Sequence, residues 1–266
     1  MKYRLIHKKA GIKSIEVFAE FTYPEKIQDI CFVKDYGFFC LGSDCLLQVK
    51  QDGYKSILTI DNPMSICCFM DYLYITYEKG VKRIKYSDNF YQTEALTAKE
   101  YLLIFDKLTK VGVKQIAIDV NSDGILLAVP SLNKVYYLHK GDVLKEIGSG
   151  KPEFSLSSNI ELCSLYSPQW SLFYNHGFLV ADTGNNCIRY FGDTHKIITG
   201  NPLDNVICPT KMLLSAKKDI LYYLSKNYLR TVALSDGKDF VSYNGKNIVS
   251  FALMHDKAFT LEEINE

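Results

Sequence analysis

Residues 168–191, PQWSLFYNHGFLVADTGNNCIRYF, constrain the fold more than any other stretch of the chain. Two apolar runs, 170–174 and 177–181, lie either side of Asn175-His176. The second run ends at Asp182-Thr183-Gly184-Asn185-Asn186, and a third run, Cys187–Phe191, follows. This reads as strand, tight turn, strand, tight turn, strand. Gly and Asn tolerate the positive φ that tight turns require, and Asp bonds its own backbone.

The same unit recurs. From Pro24, apolar runs at 27–33, 38–41, 46–50 and 54–60 are punctuated by Lys34-Asp35-Tyr36-Gly37, Gly42-Ser43-Asp44 and Gln51-Asp52-Gly53. Further units begin near Pro63, Val113, Pro168, Pro209 and Asn247. Four strands per unit, at spacings of roughly 40–55 residues, predict an all-β fold, a β-propeller of four-stranded blades. Six blades fit best, with five or seven as alternatives. The last unit holds only two strands, and residues 1–22 form a hairpin with no partner. That hairpin is expected to complete the last blade and close the ring, leaving no open sheet edge. Residues 1–266 are then a single propeller domain. Residues 91–111 overrun their unit, and Thr97-Ala98-Lys99-Glu100 carries a capping-box pattern, so a short helix or a long outer strand is inserted there.

Residues 148–200 resemble the NHL-repeat family of propellers. The residues that carry the likeness are Gly148-Ser149-Gly150, Pro168, the run 178–181, the turn and strand from Asp182 to Phe191, and Ile197-Ile198-Thr199-Gly200. The other units are degenerate. Their corresponding turns lack the Asp, and only Asn133 and Asn227 keep an Asn. The resemblance implies a propeller fold. It also implies a binding role, since NHL propellers that bind RNA or protein tend to use the face bearing the inner-strand loops.

Composition narrows the function. A net charge of +1 provides no global field for nucleic acid or membrane. No apolar run reaches the roughly 18 residues of a membrane helix, and the N-terminus has no signal-peptide core. None of the eight Cys forms a CxxC or zinc-finger spacing, so they read as buried reduced thiols of a cytoplasmic protein. No cofactor or metal is implied, and no GxSxG, HExxH, GxGxxG or P-loop pattern occurs.

Asp182, Asn185 and Asn186 invite reading as a ligand site, yet a carboxylate and amides at a β-turn ordinarily cap backbone N–H groups. Arg189 is expected to pair with an acid of a neighbouring strand. Function in a propeller sits on the loops entering the inner strands. Here those loops hold Lys26, Lys114, Lys211 and Lys246, with Gln169 beside Trp170, the single Trp of the chain. Lysines around an aromatic could hold a protein partner, or RNA or another anionic ligand; solvated loop lysines are the bland alternative. The leading function is therefore a non-catalytic scaffold binding through these six residues. The alternative is a lyase or hydrolase with its site in the central channel, which needs several His, Asp, Glu or Asn to converge there. A third is a subunit whose apolar side wall packs on another protein.

Overall fold

The computed structural model describes residues 1–8, 14–87, 90–96, 115–140, 142–157, 159–203 and 207–264. Among them are six four-stranded antiparallel sheets, each the meander of a propeller blade. Contacts divide the chain into two compact units, residues 1–63 with 211–266, and residues 64–210.

The first unit holds three sheets. One is β3 (Asp29–Val33), β4 (Gly37–Leu41), β5 (Cys45–Lys50) and β6 (Gly53–Thr59). Another is β19 (Pro209–Leu214, from Lys211 onward), β20 (Ile220–Ser225), β21 (Tyr228–Ala233) and β22 (Asp239–Asn244). The third joins the two ends of the sequence, in the order β2 (Ile15–Thr22), β1 (Lys2–Lys8), β24 (Lys257–Ile264), β23 (Ile248–Met254). The N-terminal hairpin thus completes the last blade, with Lys2 opposite Ile264 and His7 opposite Phe259.

The second unit holds β7 (Pro63–Phe69), β8 (Tyr72–Tyr77), β9 (Gly80–Ser87) and β10 (Phe90–Leu96) in one sheet. Its second sheet is β11 (Ala117–Asn121), β12 (Gly124–Val129), β13 (Lys134–His139) and β14 (Asp142–Ile147). Its third is β15 (Pro168–Tyr174), β16 (Gly177–Asp182), β17 (Cys187–Phe191) and β18 (His195–Gly200). The insertion expected at 91–111 is in part an ordinary fourth strand, β10, paired with β9 from Phe90 to Leu96. Its capping-box segment lies outside the described residues.

The burial pattern explains the sequence pattern. Middle strands are covered on both faces, so β4 and β16 are continuous apolar runs instead of alternating ones. Fourth strands face water, and β6 and β18 are accordingly mixed and largely exposed. In the first unit the core between sheets gathers Tyr3, Leu5, Ile27, Ile30, Phe38, Leu47, Phe259 and Leu261. In the second, Ile116, Ile118, Leu127, Val129 and Leu138 do the same. Each such side chain stabilises the fold by roughly 1.5–3 kcal/mol.

Candidate functional site

In both units the loops that enter first strands are held from beneath by buried polar groups. In the first unit the loop before β3 carries Lys26, which is exposed. The Tyr3 hydroxyl accepts the Ile27 N–H at 3.1 Å and donates to the Glu25 carbonyl at 3.0 Å, clamping that loop on both sides of Lys26. Burial pushes the Tyr3 phenol up, against the pull of the Ile27 N–H, so it stays a donor. The loop before β23 carries Lys246, also exposed. The buried Glu262 carboxylate accepts the Lys246 N–H at 3.2 Å, the Tyr243 hydroxyl at 2.8 Å and Arg4 Nη2 at 3.2 Å.

Lys211 is placed differently from the solvent-facing loop residue that its sequence position suggests. It is 6% exposed. Its Nζ donates to Asp29 Oδ1 at 2.6 Å and to Ser250 Oγ at 3.1 Å, and Ser250 Oγ donates to the same carboxylate oxygen at 2.8 Å. These residues come from β19, β3 and β23, so one ammonium ties together the first strands of all three sheets in this unit. A buried ammonium must be paired, and an acid and a hydroxyl on neighbouring strands provide the pairing. Lys114 lies outside the described residues.

In the second unit Gln169 sits at a register shift, because Pro168 faces Asp182 while Trp170 faces Ala181. Gln169 is half-buried and its Nε2 donates to Ser167 Oγ at 3.2 Å. Trp170 is turned inward at 6% exposure, so the expected exposed aromatic is absent from that position. The bulge re-aims the side chains that follow it, and an indole gains more from burial than from solvent. The exposed ring at this loop is Tyr166, at 46%. Nothing in the local apolar pattern distinguishes Tyr166; its position follows from its N–H donating to Asp182 Oδ1 at 2.8 Å.

That contact belongs to the network around the NHL-like turn. Asp182 Oδ2 accepts Asn185 Nδ2 at 2.9 Å and Arg189 Nη1 at 2.7 Å. Asp182 and Arg189 are both fully buried. Burial pushes the Asp182 carboxyl above the ordinary carboxylate value, against the pull of Asn185, the Tyr166 N–H and Arg189. Arg189 also donates to the carbonyls of Ser164 and Ser155, and lies between the Phe154 and Phe191 rings at 5.0 and 4.9 Å. The expected pairing of Arg189 with an acid of the neighbouring strand is present. Asn186 adopts the left-handed conformation after a 3₁₀ turn, as Asn133 does in the preceding blade. The same turn thus survives in a blade that has lost the Asp.

Among the described residues no group of three or more His, Cys, Asp or Glu could hold a metal ion. Asp119 accepts the Phe173 N–H at 3.0 Å. All eight Cys are free and five are buried; burial pushes Cys187 up to about 12. Among the described residues no helix is long and apolar enough to cross a membrane.

No model of a protein family matches the sequence, and no curated protein matches it. Solved structures do match. The WD40 β-propeller domain of Doa1 is 11% identical, with a TM-score of 0.53 over 94% of this chain and 76% of that one. Catalytically inactive H270A virginiamycin B lyase from Staphylococcus aureus, solved with quinupristin, is 15% identical, with a TM-score of 0.53 over 94% and 85%. A chain of the nidogen/laminin complex is 12% identical, with a TM-score of 0.58 over 90% and 92%. At these identities the likeness is one of fold, and together with the six four-stranded sheets it makes the chain a β-propeller of six blades.

Proposed function

We propose that the chain is a non-catalytic binding scaffold of NHL type, working in a reducing, cytoplasmic compartment, whose partner is a protein. The contacts are made by loops that enter the inner strands: Lys26 and Lys246 in the first unit, Gln169 with Tyr166 in the second. The observation that carries this reading is the clamping of these loops by Tyr3, Glu262 and Asp182. A loop held in one conformation by buried groups binds without a further ordering cost. The groups best suited to chemistry, Lys211 with Asp29 and Arg189 with Asp182, are buried in pairs with one another. A binding role also agrees with a structural neighbour that was solved as part of a protein complex.

The test is affinity capture from the native cell with wild-type protein and two surface variants, Lys26→Glu/Lys246→Glu and Gln169→Ala/Tyr166→Ala. One captured protein should be lost or weakened at least tenfold by the charge reversal, with wild-type binding falling as salt rises. Identical capture by all three proteins would overturn the assignment of these loops. Trp170→Ala and Lys211→Glu are unsuitable, because both perturb the interior.

A further inference from the structure

The fourth strand of a blade is an open sheet edge, and its unpaired N–H and C=O groups invite a further strand. Five of the six fourth strands in this chain carry the same defence. One extra residue is inserted against the third strand: Phe18 in β2, Ile57 in β6, Leu144 in β14, Ile198 in β18 and Ser242 in β22. Such a bulge bends the strand and increases its twist, so a second strand cannot lie flat along the edge. β10 has no bulge. It pairs with β9 in unbroken register, from Phe90 opposite Ser87 to Leu96 opposite Val81. Its sequence, FYQTEAL, contains no Lys, Pro or Gly, which are the residues that weaken or guard an edge. Among the described residues no strand lies beyond it.

The sequence of β10 is also complementary to itself. Two antiparallel strands bond only through residues that direct N–H and C=O toward each other, and these alternate along each strand. A two-fold axis relating two copies must then pass through a residue, and full overlap of the strand puts it at Thr93. Thr93 comes opposite Thr93, Gln92 opposite Glu94, Tyr91 opposite Ala95, and Phe90 opposite Leu96. Apolar residues meet at both ends and no like charges are opposed. An axis through Glu94 would instead set two carboxylates face to face. On β9 the cross-strand neighbours of Gln92 and Glu94 are Lys85 and Arg83. Each row across the joined sheets therefore reads Lys85, Gln92, then Glu94 and Arg83 of the second copy.

We propose that β10 pairs antiparallel with β10 of a second copy of this chain, about Thr93, joining two four-stranded sheets into one. The contact is isologous, so it closes at two copies. One strand pair makes a small interface, and the dimer forms and dissociates with concentration. It uses none of the loop residues assigned to the protein partner, and either assignment can fail without the other.

Sedimentation velocity of the full chain over a range of concentrations reads the dissociation constant. Gln92→Glu opposes two pairs of like charges across the axis, and Gln92→Lys makes two pairs of opposite charge. The lysine variant should dimerise at least tenfold more tightly than the glutamate variant at low ionic strength, and the two should converge as salt rises. Within one copy the effect has the other sign, because residue 92 lies opposite Lys85. A weaker dimer in Gln92→Glu is therefore not a sign of a weaker blade. Thr93→Cys should form a disulfide between copies on mild oxidation, since opposed Cα atoms lie about 4.5–5.5 Å apart. The wild type, whose eight Cys are free, is the control. A monomer at every concentration, equal dissociation constants for the two Gln92 variants, or no cross-link in Thr93→Cys beyond that of the wild type would overturn the proposal.

Discussion

At the scale of single residues, the strongest polar groups of this protein serve its architecture. Lys211 and Asp29 are an interior ion pair, and removing one partner of such a pair leaves a buried charge uncompensated. Lys211→Met should therefore destabilise the protein by about 3–5 kcal/mol in urea unfolding. The double variant Lys211→Met/Asp29→Asn should recover part of that loss, because the two residues share one interaction. The sequence shows Lys211 as one lysine among many, at the entrance to a strand. That its side chain turns inward depends on Asp29 and Ser250, which are far away in the chain. Trp170 is misplaced by the same kind of reading, because a one-residue bulge at Gln169 determines which way it points.

At the scale of elements, the segment between β14 and β15 is tied across the fourth blade by Arg189 and His195. His195 Nε2 accepts from Arg189 at 2.9–3.0 Å, and its Nδ1 donates to the Ser157 carbonyl at 3.2 Å. Its other face stacks on Phe191 at 4.4 Å. Burial and the neighbouring guanidinium hold its pKa below the ordinary imidazole value of 6.5. A histidine with a lowered folded value costs no stability above the unfolded value. It destabilises progressively as pH falls through 6.5 toward the folded value. Protonation would set a cation against Arg189, whose countercharge, Asp182, is on the far side of the guanidinium. The protection of amides 153–157 and 159–165, taken relative to the intrinsic exchange rate at each pH, should therefore fall between pH 7 and pH 5, and His195→Gln should flatten that dependence. Gly200, at φ +87°, has no room for a Cβ against the Asn186 carbonyl. Gly200→Ala should cost about 1–3 kcal/mol in thermal unfolding, by forcing a strained backbone at the end of β18.

At the scale of the whole molecule, the closing blade is the decisive device. β1 pairs with β24 along its length, so the first and last strands of the sequence are neighbours. A permuted chain that joins residue 266 to residue 1 through a short turn, and begins at Pro24, should fold with a circular dichroism spectrum like that of the parent. Deletion of residues 1–22 should instead expose the β24 edge and yield aggregate, as judged by gel filtration.

The repeat, its four-strand unit, the blade count and the closing hairpin were all legible in the sequence. Turn chemistry and apolar runs are local signals, and each blade announces itself within about 40 residues. The pairing of Arg189 with an acid of the neighbouring strand was legible for the same reason, since Asp182 is close in sequence. The side chains of Asp182, Asn185 and Asn186, however, do not cap the turn's own N–H groups as the turn pattern suggests: they bond Tyr166, Arg189, Glu153 and Cys208 instead. What only the tertiary structure decided was the direction of individual side chains at the strand entrances. The burial of Lys211, the inward turn of Trp170 and the exposure of Tyr166 all depend on bulges and distant partners. Such partners meet only when blades pack, and no local pattern encodes where they will meet.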